Sequence, residues 1–115
     1  RIQTEFGYNV SSSLDDIRPN YSFDVTCQGS VPQAIVAFLE STDFEDAVRN
    51  AVSLGGDSDT QACMAGALAE AFYGGVPQDL AQESFIRLDD FLRGIVYSFY
   101  SKVIPSLKLP RLGQT

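Results

Sequence analysis

Ala62, Ala65, Gly66 and Ala69 recur at helical spacing and leave almost no side-chain bulk on one face. A second backbone can lie closer to this helix than ordinary side chains allow, which expects it at the centre of a helical assembly. Immediately before it stands Gly55-Gly56-Asp57-Ser58-Asp59-Thr60. The diglycine lets the chain turn with φ > 0 or pass close to a ligand. The Asp-x-Asp-Thr cluster offers only hard oxygen donors, the kind magnesium or calcium prefers. Asp57 and Asp59 would point to different sides of a regular helix, so both can serve one site only by straddling the loop and the first turn. The plainer alternative is a helix cap, since Asp, Ser and Thr are favoured there and acids suit the positive end of the helix dipole.

Charge narrows the function classes. With 15 acidic against 8 basic side chains the formal charge is -7. No basic stripe is present to neutralise phosphates, so nucleic acid and anionic membrane are disfavoured partners and a cation is a better match. Histidine is absent, which excludes Ser-His-Asp hydrolysis and His-rich zinc sites. Proton transfer would have to use carboxylate, tyrosine, lysine or water. Cys27 and Cys63 are the only cysteines; one pair is not a disulfide framework, and they read as small buried residues with free thiols in a reducing cytoplasm. The sequence reads as one without a signal peptide, and no apolar run is long enough to span a membrane, which expects a cytoplasmic chain. The 115 residues suit a single domain, residues 1–115, and the first residue is Arg1, which expects a chain beginning inside a longer reading frame.

Capping and periodicity then set the elements. Residues 1–11 alternate weakly and read as irregular or briefly extended. Ser12 or Ser13 caps a short helix over Leu14–Ile17, stopped by Pro19. Tyr21 to Cys27 reads as a loop. Ser30-Val31-Pro32-Gln33 has the pattern of a capping box opening a helix that runs to about Glu40, with Ala34, Ile35, Phe38 and Leu39 as its buried stripe. Asp43 caps the next helix, whose stripe is Phe44, Ala47, Val48, Ala51 and Val52 and which Gly55 ends. The small-residue helix begins at Asp57 or Ser58 and stops at Gly74-Gly75. From about Ser84 to Val103 the set Phe85, Leu88, Leu92, Ile95, Val96, Phe99 and Val103 keeps a helical period, which expects one helix, the longest of the chain. Pro105 and Pro110 prevent continuation, leaving an extended tail. The fold class is all-α, an orthogonal or antiparallel helical bundle.

The run Ser53-Leu54-Gly55-Gly56-Asp57-Ser58-Asp59-Thr60, followed by Ala65-Gly66-Ala67-Leu68-Ala69 and Tyr73-Gly74, resembles the C-terminal motif of the ADP-ribosylglycohydrolase family. Ser30 to Ala34, Ala37 to Leu39 and Asp43 to Ala47 precede it in the order that family shows, and the match is specific over residues 28–77. The resemblance implies the C-terminal part of an all-α fold around a pair of magnesium ions, manganese being an alternative. It implies hydrolysis of the bond between ADP-ribose and a modified acceptor, either a protein side chain or a small conjugate. Carried onto this chain, it makes Asp57, Asp59 and Thr60 metal ligands, with Asp59 the bridging candidate. Gly55 and Gly56, together with Gly29 and Ser30 at a helix N-terminus, are candidates for substrate binding.

The family's N-terminal Gly-Asp-rich motif with its glutamate and its Thr-Asp-Asp cluster are not recognisable here. Thr42-Asp43-Phe44 is similar to the second only superficially, and Phe stands where Asp is needed. The acid/base carboxylate is therefore expected outside this chain, and the chain alone is expected not to turn over. Tyr73, Tyr97, Phe99 and Tyr100 are assigned to the core rather than to substrate. Apolar surface left uncovered would favour a homodimer or complementation by the N-terminal half. The alternative from another class is a non-catalytic acidic helical interaction module or a crystallin-like scaffold, in which Asp57 is a cap and nothing more.

Overall fold

The computed structural model describes residues 1–105, and among them every regular element is helical. The chain resolves into two compact units, one over Arg1–Gly75 and one from Val76 onward.

In the first unit, residues expected to be irregular form a short helix, α1 (Ile2–Phe6). The glycine that suggested irregularity is its stop: Gly7 takes the left-handed conformation and its N–H returns to the Gln3 carbonyl. Helix α2 (Leu14–Ile17) is capped by Ser13 in a reciprocal capping box with Asp16. Pro19 ends the α geometry there, and a single 3-10 turn over Arg18–Asn20 follows. Arg18 bonds Asp15 at 2.6 Å and the Ser53 hydroxyl at 2.9 Å, so the turn is tied to a residue 35 positions later.

Helix α3 (Cys27–Leu39) starts three residues before the expected box. Thr26 is the cap, accepting from the Gly29 N–H, while the buried Ser30 hydroxyl donates to the Asp24 carbonyl. The Ser30–Gln33 spacing imitates a cap inside the first turns, and the stronger signal is the Asp24 carboxylate that orders Thr26 by accepting from its N–H and hydroxyl. The buried stripe moves accordingly. Ala34, Val36 and Ala37 are buried, whereas Leu39 is 58% exposed.

Helix α4 (Phe44–Ser53) is capped by Asp43 as expected, and Asp46 in turn accepts from the Thr42 N–H. Ala47 and Ala51 are its buried positions, while Val52 faces outward. Helix α5 (Ser58–Tyr73) is the longest described element at 16 residues. Ala65 and Ala69 are fully buried on it, and a Cβ added at Gly66 would sit 3.5 Å from Val48 Cγ2, in ordinary contact. The small residues of α5 thus let α3 and α4 close around Val36, Ala37, Ala51, Leu54 and Ala65, with Leu14 completing the cluster. A Leu at position 65 would hold these helices apart. Phe38, Phe72 and Tyr73 meet edge to face at centroid separations of 5.0 to 6.3 Å, and the Tyr73 hydroxyl donates to the Ser41 carbonyl.

In the second unit, the single helix expected over Ser84–Val103 is two: α6 (Gln78–Arg87) and α7 (Asp90–Val103). Leu88 is extended and Asp89 caps α7 by accepting from the Leu92 N–H at 2.8 Å. Apolar periodicity runs across the break unaltered, and for that reason it hid the cap. Ala81 and Phe85 are buried, whereas Phe91, Ile95, Phe99 and Val103 of α7 are exposed. The tail after Pro105 lies outside the described residues. Cys27 and Cys63, expected to be buried, are exposed free thiols: one opens α3 and the other lies off the alanine face of α5. Among the described residues no helix is long and apolar enough to cross a membrane.

Candidate metal centre

The connection between α4 and α5 is where the sequence placed its chemistry. Leu54 ends α4, then Gly55 at φ +78° and Gly56 at φ +68° both take the left-handed conformation. Two such residues in succession reverse the chain within the turn, at a cost of about 1–2 kcal/mol each for any residue bearing a Cβ. Gly56 is exposed on one side and closely approached on the other. A Cβ there would lie 2.8 Å from Tyr21 Cε1 and 3.1 Å from the Ser22 carbonyl oxygen, so residues 21–23 lie directly against the turn.

Asp57 follows in the N-cap position of α5, but it does not act as a cap. Its backbone stands at φ −80°, ψ 66°, and its side chain accepts no hydrogen bond from the first turn. Ser13, Thr26, Asp43 and Asp89, which cap four of the six other described α-helices, have ψ between 152° and 180° in magnitude, and each accepts such a bond; Arg1 and Pro77, at the starts of α1 and α6, do not. The free Asp57 carboxyl instead meets that of Asp59. A hydrogen bond from Asp57, helped by the Thr60 and Asp59 backbone N–H groups, holds the Asp59 carboxyl below its usual range. Asp57 is half-buried, while Asp59 and Thr60 are exposed, so the pair opens to solvent, with the Thr60 N–H donating to Asp59 Oδ1 at 3.0 Å.

Beneath the turn lies a polar layer that sequence reasoning missed. The Tyr21 hydroxyl donates to the Gly29 carbonyl at 2.7 Å and accepts from Gln61 Nε2. Gln61 is fully buried, and its own backbone N–H binds the Asp57 carbonyl at 3.1 Å. Burial pushes the Tyr21 hydroxyl above its ordinary range; hydrogen bonds to Ser30 and Gln61 oppose that push, and the Asp24 and Asp57 charges reinforce it. It is therefore a neutral donor at neutral pH. The available signal was Gln61 itself, a glutamine in the buried register of an alanine-faced helix, four residues after Asp57.

Of the residues singled out from sequence, Asp57, Asp59 and Thr60 come together on one turn, with Gly55 and Gly56 forming its approach. Gly29 and Ser30 lie on the first turn of α3, linked to the site through Tyr21. The Gly29 N–H is donated to Thr26 Oγ1, and the Ser30 hydroxyl to the Asp24 carbonyl. Among the described residues no third Asp, Glu, Cys or His joins the acidic pair. The donor set fits a hard divalent cation: two carboxylates and a hydroxyl, all oxygen, open to water on one side. It lacks the cysteine and histidine donors that dominate zinc sites. A cavity of about 250 Å³ lies elsewhere in the first unit, between residues 6–12 and the Gln28, Pro32 and Gln33 side chains, and the acidic pair is not part of its lining.

A family model described as ADP-ribosylglycohydrolase matches residues 9–100. No curated protein and no solved structure matches the chain.

Proposed function

The chain belongs to the ADP-ribosylglycohydrolase family, and from that premise we propose that Asp57, Asp59 and Thr60 hold magnesium, or manganese, in a two-cation site where the bond between ADP-ribose and its acceptor is hydrolysed. The observation that carries this reading is the Asp57 carboxyl, which stands at a helix N-cap, makes no capping bond and pairs with Asp59. A residue present only to cap α5 would bond the helix N–H groups as Asp43 and Asp89 do. A divalent cation bound at this pair would stabilise charge on ribose hydroxyls as the anomeric carbon takes on oxocarbenium character.

The chain's own residues have distinct parts in this reading. Asp57 and Asp59 supply the anionic oxygens, Thr60 a neutral one, and the diglycine keeps side-chain bulk away from the approach. Two carboxylates and a hydroxyl are fewer oxygens than two hard cations need. The remaining ligands and the acid/base carboxylate are accordingly supplied from beyond this acidic turn, by a complementary polypeptide or a second copy, and the chain alone does not turn over. The substrate is an ADP-ribosylated protein or a small ADP-ribose conjugate.

The test is calorimetric titration of Mg2+ and Mn2+ into the 115-residue chain and its Asp59→Ala variant, followed by ADP-ribose. Uptake that needs Asp59 and strengthens with ADP-ribose is the expected result. Equal uptake by both proteins would sink the assignment.

A further inference from the structure

We propose that Tyr21 and Gln61 are positioning residues for the acidic turn, holding Gly56 and Asp57 so that the Asp57 carboxyl meets that of Asp59 rather than the N–H groups of α5. The proposal rests on the reading that this pair takes a divalent cation, and adds to it what sets the pair's geometry.

Three observations close a ring around the turn. The Tyr21 ring fills the space that a side chain at position 56 would need, 2.8 Å from where its Cβ would be, so the turn is pressed from below. The Tyr21 hydroxyl is anchored on the other side to the Gly29 carbonyl in α3. Gln61 then ties the tyrosine to the helix: its side-chain amide donates to the Tyr21 hydroxyl, while its backbone N–H makes the first intrahelical bond of α5, to the Asp57 carbonyl, as Ala47 and Arg93 do to Asp43 and Asp89. From Asp57 to Gln61 to Tyr21 and back to Gly56, each link fixes the next. The backbone of Asp57 differs too: ψ is 66° here and near 170° in magnitude at the aspartates that cap α4 and α7. Both of those aspartates turn their carboxyls onto the helix, accepting from the Asp46 and Leu92 N–H groups.

Gln61 has no packing reason to be polar. The other buried positions of α5 are Ala65 and Ala69, and a buried amide is unfavourable unless it is hydrogen-bonded. Tyr21 supplies that bond for Nε2, while Oε1 has no protein partner among the described residues. Gln61 thus points one amide atom at the tyrosine that seats the turn and keeps one acceptor free in the same layer. Removing the tyrosine hydroxyl would release both Gln61 and the Gly29 anchor without altering a single donor of the acidic pair.

The experiment uses the full chain with Tyr21→Phe, which keeps the ring, and Gln61→Leu, which keeps the volume. Mn2+ affinity is measured by calorimetry, amide hydrogen exchange is measured at Gly56 to Thr60, and residues 47–51 of α4 are the control. We expect Tyr21→Phe to weaken Mn2+ binding by about tenfold, the lower range for groups that orient ligands, and to speed exchange at the turn while α4 is unchanged. Unaltered Mn2+ affinity in Tyr21→Phe, beside Asp59-dependent binding by the parent chain, would overturn the proposal and leave the cation reading standing. Exchange that rises equally in α4 and at the turn, with affinity of the folded protein unchanged, would reduce Tyr21 to general stability and also overturn it. If the parent chain takes up no Mn2+, the cation reading fails instead. The exchange arm then decides alone: acceleration confined to the turn upholds the positioning role, and its absence in both variants overturns it.

Discussion

Asp43 and Asp57 occupy the same position in consecutive helices and do opposite things. Asp43 is extended, accepts the Asp46 N–H at 2.8 Å and so neutralises one of the open donors of α4. Asp57 sits after two left-handed glycines, accepts from none of the donors of α5 and turns its carboxyl to Asp59. The acids nearby follow the same division. Asp46 is engaged by the Thr42 N–H and hydroxyl, whereas Asp59 is bound only to its partner carboxyl and adjacent backbone. A helix start that forgoes its cap and gathers like charges is less stable than it could be, and the lost stability is intelligible as the requirement of a binding site.

The largest expected effect separates the two aspartates by ligand. Asp59→Ala should reduce Mg2+ or Mn2+ affinity by more than the roughly 10–100-fold that orienting groups command, and Asp57→Ala should do nearly the same. Asp43→Ala should leave it unaltered. Calorimetry on the three variants checks this, and an equal loss in Asp43→Ala would erase the distinction.

The next effect sharpens the role of the turn. Gly56→Ala meets both a left-handed backbone and the Tyr21 ring, which together should cost roughly 2–4 kcal/mol. Gly55→Ala has the same backbone problem but nothing within 4 Å of its Cβ, so about 1–2 kcal/mol is expected. Urea denaturation of both variants reads the difference. Similar losses would mean that residues 21–23 do not press on the turn.

A third effect tests the comparison by stability alone. Asp43→Ala should lose about 1 kcal/mol, the usual worth of a cap, while Asp57→Ala should stay within about 0.5 kcal/mol of the parent. If Asp57→Ala proves as costly as Asp43→Ala, then Asp57 is a cap, and the non-catalytic reading gains what the glycohydrolase reading loses.

How much of this was legible beforehand follows from sequence distance. Asp43 and Ser13 announced themselves because a cap and the N–H it binds are three residues apart, and composition at that range is enough. The acidic turn was legible for the same reason, since diglycine, carboxylates and small-residue helix are contiguous. The start of α3 was misplaced because Ser30 and Gln33 offered a second, equally local pattern, and only the Asp24 contacts to Thr26 choose between them. The break at Leu88 was invisible because periodicity measures apolar register, which an extended residue and a new cap can preserve. The cysteines were read as buried from residue type alone, and type does not say which face of α5 carries Cys63. Tyr21 and Gln61 were beyond reach: they are 40 residues apart, and nothing in either neighbourhood names the other.

The smallest effect is a matter of pH, and it belongs to the engaged carboxylates. The Ser13 hydroxyl and N–H hold Asp16 below its usual range, and the Thr26 hydroxyl and N–H do the same for Asp24. In the unfolded chain each would titrate near about 3.9, and in the folded chain lower, so the native state binds fewer protons in that window. Their contribution is whole above the unfolded value and is lost as pH falls through it toward the folded one. Asp59 is shifted in the same direction and adds to the same slope. Thermal midpoints measured from pH 6 down to about pH 2.5 should therefore fall less steeply in Asp16→Asn/Asp24→Asn than in the parent. The reason is that an amide oxygen can still accept from the Ser13 and Thr26 donors and does not titrate. The difference should open only below about pH 4. An identical acid slope in the double variant would mean that the Ser13 and Thr26 contacts do not engage these carboxylates, and the division between capping and site acids would no longer hold.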